Sequence, residues 1–161
     1  APLPLDVLEQ RAGILKNRME QARRLGYKTG INILTTIGHH EENLENSLNG
    51  NYTPMTNIDG ETCLGSFCPN DENMRQYIRN IYQLTAWANP DYIWIDDDVR
   101  FGHMPIGNGC FCDNCLAVFE NETGTKYTRE SLKKALNEVP AVEKLKIRQA
   151  WLQHKIGRAH V

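Results

Sequence analysis

The stretch Tyr92–Cys115, YIWIDDDVRFGHMPIGNGCFCDNC, constrains the fold more than any other part of the chain. Tyr92–Ile95 is apolar at every position. That pattern predicts a strand buried on both sides, as in parallel sheets covered by helices. Asp96, Asp97 and Asp98 follow at once, so three carboxylates stand at the strand's C-terminal end. In α/β proteins this end of the sheet carries ligands and chemistry. Adjacent carboxylates repel one another unless a metal, a bound sugar or solvent satisfies them, and a solvated acidic loop is the plain alternative. Their place directly after a buried strand favours a site.

The flanking segments supply the rest of an alternating pattern. Leu8, Ala12, Leu15, Met19, Ala22 and Leu25 recur at steps of four and three, which predicts an amphipathic helix over Leu5–Leu25. Asp6 and Glu9 stand at capping-box spacing, and Gly26 supplies the stop. Thr29–Thr36 is β-branched and apolar enough for a second buried strand. Residues 41–69 are rich in Asn, Glu, Gly and Pro and read as a long loop with a turn at Asp59-Gly60. Asn70 or Asp71 caps the next helix, whose buried face is Met74, Tyr77, Ile78, Ile81, Leu84, Thr85 and Ala88. Asn89-Pro90 ends it. Short helices are expected over Leu116–Glu120 and Thr128–Asn137, and another over Val142–Gln153. Trp87 and Trp94 read as core residues.

This order predicts an α/β fold with two adjacent parallel strands and surrounding helices. Two strands cannot close a barrel or cover both of their edges, so residues 1–155 read as a segment of a larger α/β protein. The last six residues, 156–161, match the translation of the sequencing-adapter codons ATC GGA AGA GCA CAC GTC and are set aside from fold reasoning. A formal net charge of -2 gives no footing for a nucleic-acid surface. No apolar run approaches the roughly 20 residues of a membrane span. The expected setting is cytoplasmic, with no nucleic-acid and no membrane partner.

Five cysteines are present, at 63, 68, 110, 112 and 115. Three of them form C-x-C-x2-C, a density that points to a metal more than to a disulfide framework. Zinc takes four such ligands at roughly 2.3 Å. The fourth comes from Cys63, Cys68, His103 or His39. Cys68 is the best placed, because it lies where the long loop meets the helix leading into the central strand. An iron–sulfur cluster and ordinary reduced thiols are the alternatives.

Three runs together resemble glycoside hydrolase family 42: Cys68-Pro69-Asn70, Ile95-Asp96-Asp97-Asp98 and Cys110-Phe111-Cys112-Asp113-Asn114-Cys115, followed by Phe119. Gly124, Leu132 and Leu136-Asn137 match later pieces of the family's pattern. The resemblance spans residues 5–138. It implies a partial (β/α)8 TIM barrel covering the third and fourth strand–helix units, and β-galactosidase-type hydrolysis of O-glycosidic bonds. It also implies a structural zinc ion on Cys68, Cys110, Cys112 and Cys115. The family's fourth strand ends in Asn-Glu, the Asn holding the sugar and the Glu serving as acid/base. Asp97 and Asp98 occupy those positions here, which places the chain on a related branch of glycosidase-like barrels.

On this reading Asp98 is the general acid, its protonated form favoured by repulsion from Asp96 and Asp97. Asp97 contacts sugar hydroxyls. His39, beside His40 at the end of the first strand, lines the same cleft, and Arg100 and His103 follow the acids as further substrate-binding residues. The second carboxylate that a glycosidase needs belongs to a later strand, so these residues alone are expected to be inactive. The expected partner is a carbohydrate substrate, and a homo-oligomer of the larger protein stays open. Two other readings stand beside this one. The first is a catalytically silent carbohydrate-binding or scaffold barrel that keeps its zinc. The second is a metal-dependent hydrolase using His39, Asp96, Asp98 and His103.

Overall fold

The structure is a computed structural model that describes residues 2–33, 44–95, 106 and 109–159. It is a mixed α/β arrangement. The elements run α1 (Leu5–Arg24), β1 (Gly30–Ile33), α2 (Leu44–Leu48), β2 (Pro54–Thr56), β3 (Thr62–Phe67), α3 (Glu72–Ala88), β4 (Tyr92–Ile95), α4 (Asp113–Thr123), α5 (Arg129–Asn137) and α6 (Ala141–Ala159).

The two expected strands are neighbours and parallel, with Gly30 opposite Tyr92 and Ile33 opposite Ile95. Asp91 fixes where they start. Its carboxylate accepts from the backbone N–H of Thr29 at 2.7 Å and from the Thr29 hydroxyl at 2.9 Å, and its own N–H donates to the Thr29 carbonyl. These bonds, with the guanidinium of Arg23 beside them, hold the Asp91 carboxyl below its ordinary value.

Helix α1 ends as Gly26 requires. Tyr27 N–H reaches back to the Ala22 carbonyl and Gly26 N–H to that of Arg23, with Gly26 at φ 86°. This is a Schellman cap. Its start departs from expectation: Pro4 is the N-cap and makes no side-chain capping bond, so Asp6 lies inside the first turn. Proline already fixes the backbone angle there and has no N–H to satisfy. Helix α3 starts at Asp71, whose carboxylate accepts from Met74 N–H, and ends at Asn89 in the left-handed conformation. Helices α1 and α3 pack on each other.

Two expectations are corrected. Residues 41–69 are not a bare loop, because β2 and β3 pair there as an antiparallel hairpin. In addition, β4 is exposed along its whole length rather than buried on both sides. Trp94 is 63% and Trp87 54% exposed, so neither is a core residue here. A two-stranded parallel sheet has too few neighbours to cover its own faces.

Among the described residues the interior holds three clusters. One joins Phe67, Met74 and Tyr77 under α3. A second is aromatic and joins Phe111, Phe119, Leu132, Leu136 and Trp151 across α4, α5 and α6. The third is made of Met55, Cys63, Ile106 and the four remaining cysteines.

Candidate metal centre

Three elements deliver the four cysteines. Cys68 follows β3 directly. The hairpin holds it there, because Cys68 N–H donates to the Thr53 carbonyl at 2.8 Å. Cys110 and Cys112 lie on the short approach to α4, and Cys115 lies in that helix's first turn. Gly109, at φ 104°, precedes the approach, and its backbone angle favours a residue without Cβ. Alternation then does the rest. Phe111 turns into the aromatic cluster, its ring stacked on Trp151 at 4.4 Å, while Cys110 and Cys112 turn to the other side. Phe111 N–H donates to the Thr56 carbonyl at 2.7 Å, tying this approach to the same hairpin.

The sulfurs of Cys68, Cys110, Cys112 and Cys115 all lie within 4.8 Å of one another. Cys68 is 3.3 Å from Cys112 and 3.4 Å from Cys115, sulfur to sulfur. None of the five cysteines is in a disulfide. A tetrahedron with metal–sulfur bonds of 2.3 Å has edges of about 3.8 Å, so the four sulfurs fit around one ion with little movement. All four are 5% exposed or less. Cys63 is buried close by on β3 but stands outside the four, its thiol directed to the Leu64 carbonyl.

Packed this closely, the thiols do not share protons equally. Hydrogen bonds from Cys110, Cys115 and Cys68 hold Cys112 far below the ordinary thiol range, against the effect of burial. The corresponding bonds raise Cys115, and burial adds to them. Cys112 is also the N-cap of α4, where the helix dipole favours a thiolate. A bound metal would displace the remaining protons.

The surroundings of the sulfurs include residues that the sequence did not single out for this role. Asn70 turns toward the thiols instead of capping α3. Its backbone N–H lies 3.3 Å from Cys68 Sγ and its side-chain amide 3.3 Å from Cys115 Sγ. Asp71 is the cap, and it also accepts from the hydroxyl and N–H of Thr53. Asn114, between Cys112 and Cys115, donates to the Thr53 hydroxyl. The hairpin, α3 and α4 thus meet in one polar network beside the cysteines. Cys-Pro-Asn directly before a helix was the available signal for Asn70.

No protein-family model, curated protein or solved structure matches the chain.

The remaining site residues expected from the sequence, namely His39, Asp96, Asp97, Asp98, Arg100 and His103, lie outside the described residues. Cys68, Cys110, Cys112 and Cys115 are the set brought together, and they could hold a metal ion. Among the described residues, no helix is long and apolar enough to cross a membrane.

Proposed function

We propose that this chain is part of a glycosidase-like (β/α)8 barrel in which Cys68, Cys110, Cys112 and Cys115 hold a structural zinc ion and Asp98 serves as general acid in O-glycoside hydrolysis. The observation that carries the reading is the convergence of the four buried thiols, the most specific part of the resemblance to glycoside hydrolase family 42. The parallel pairing of β1 with β4, with α3 on the connection between them, also fits a barrel segment. Four thiolates in mutual contact suit a single tetrahedral zinc ion.

The zinc role is structural because all four positions are protein sulfurs, leaving no open position for water or substrate. The acids lie between β4 and Cys110 in the sequence. Strand pairing anchors one end of that stretch and the cysteines anchor the other. A metal at the cysteines would fix the fold at the far end of the stretch that carries the acids. On this reading Asp98 would protonate the leaving oxygen and Asp97 would bind sugar hydroxyls. The partner carboxylate would come from a later strand of the barrel.

Two measurements test this. Metal analysis of the reduced chain should find about one zinc per chain, in a colourless protein. A brown protein containing iron would remove the zinc assignment. In a longer protein carrying this segment, Asp98→Asn should slow hydrolysis of glycosides with poor leaving groups by roughly 10²–10⁴. Activated aryl glycosides, which need less protonation, should lose less. Equal losses on both substrate types would argue against an acid role. The silent sugar-binding or scaffold barrel is favoured by Asp98 standing where the family has Glu. An inactive wild type across a broad glycoside panel would select it.

A further inference from the structure

We propose that Asn70 sets the metal affinity of the cysteine centre without binding the ion, and that Arg75 is the positioning residue that aims it. The inference rests on the metal reading above. Four thiolates around a divalent cation leave a net charge of about -2 in a dry site, and buried charge needs hydrogen-bond donors. Asn70 alone gives two of them to two different sulfurs. Its backbone N–H meets Cys68 Sγ and its side-chain NH₂ meets Cys115 Sγ, each at 3.3 Å.

The amide can serve this way in one orientation only. A guanidinium has no acceptor, so whichever end of the Asn70 amide faces Arg75 must be the oxygen. Asn70 Oδ1 accepts from an Arg75 terminal nitrogen at 2.9 Å, which sends the NH₂ to the sulfur. The other arm of the fork, Arg75 Nε, donates to the Pro69 carbonyl at 2.8 Å. One side chain therefore grips two consecutive residues of the Cys68-Pro69-Asn70 run. Arg75 is itself fixed by the first turn of α3, where its N–H bonds to the Asp71 carbonyl. The chain of positioning runs from the helix to the guanidinium, to the amide, and to the sulfur. N–H···S bonds withdraw electron density from thiolates and stabilise them, so they act on the affinity and on the electronic spectrum of the bound metal together.

The test uses the reduced chain, with zinc affinity measured by competition against a chromophoric chelator. It adds the sulfur-to-metal charge-transfer band of the cobalt(II)-substituted protein, which reports electron density at sulfur. Asn70→Asp keeps the oxygen facing Arg75 and replaces the donor with an acceptor. Zinc affinity should fall roughly 10–100-fold, the usual effect of residues that support metal ligands, and the cobalt band should move to lower energy. Arg75→Met leaves the backbone N–H in place and frees the amide to turn. It should give a smaller loss and a smaller shift in the same direction, with Arg75→Lys recovering part of both. Asn73→Ala, on the same turn but with its side-chain amide donating to the Asn51 carbonyl at 2.9 Å, is the control and should match the unaltered chain. If Asn70→Asp fails to fold, Arg75→Met decides. An unaltered chain that binds no metal overturns the metal reading itself. A chain that binds zinc tightly, with affinity and cobalt band unchanged in Arg75→Met or Asn70→Asp, overturns this inference alone.

Discussion

Asp71 shows how much one side chain of this chain can organise. Burial would push its carboxyl up. The hydrogen bonds from the Thr53 hydroxyl, Met74 N–H and Thr53 N–H outweigh that and hold it below its ordinary 3.8. A carboxyl depressed by folding adds stability at pH values above its unfolded value, and that stability is lost as pH falls through the folded value. The denaturation midpoint should therefore drop as pH is lowered from about 5 toward 3. Asp71→Ala should lose about 2 kcal/mol at pH 7, measured by chemical denaturation, and should flatten this part of the pH profile. At the residue scale the sequence was most legible where chemistry and spacing coincide. C-x-C-x2-C pointed to three of the four thiols that converge, and Cys68 followed from its place before the helix. Asn70 and Arg75 were not legible as a pair. Their partnership depends on a turn and a helix face, and neither residue type signals sulfur.

Sequence patterning missed the short helix α2 and the β2–β3 hairpin, and for the hairpin the reason lies in its irregularity. β2 has only three residues and begins with Pro54. The pairing shifts register between Pro54 and Met55, and Gly65 in β3 sits at φ 78°. Period-two alternation cannot survive such a shift. What remained visible was the turn at Asp59-Gly60. There Asn57 Oδ1 accepts from the N–H groups of both Asp59 and Glu61 at 2.9 Å, and Gly60 takes φ 93°. Gly60→Ala should cost about 1 kcal/mol by thermal denaturation, because a Cβ strains that backbone angle. The helices other than the five-residue α2 were legible because their periodicity and end signals are local, whereas burial of β4 was misjudged. An apolar run records what a strand is suited to pack against, and no described neighbour covers both its faces.

At the scale of the molecule, the cysteine cluster is a core most of whose members are thiols that could hold a metal ion, set beside two hydrophobic ones. If these thiols hold the proposed ion, chelating it under reducing conditions should loosen the fold unevenly. Hydrogen exchange should speed up at the hairpin and the first turn of α4, at the amides of Cys68 and Phe111 first. The contact between α1 and α3 should persist. Uniform loss of protection would show that the clusters do not behave as separable units. If the four thiols bind an ion as proposed, their spacing also sets an order of events during assembly. Cys110, Cys112 and Cys115 are already neighbours in any unfolded chain, but Cys68 and Cys112 are 44 positions apart. Closing a loop of that length costs about 4 kcal/mol of chain entropy. On the proposed metal reading, an ion meeting the unfolded polypeptide would be captured by three sulfurs first and held loosely. The fourth bond would wait until α3 and the hairpin have brought Cys68 across, so completion of such a site would be a late step that records that the fold around it has formed.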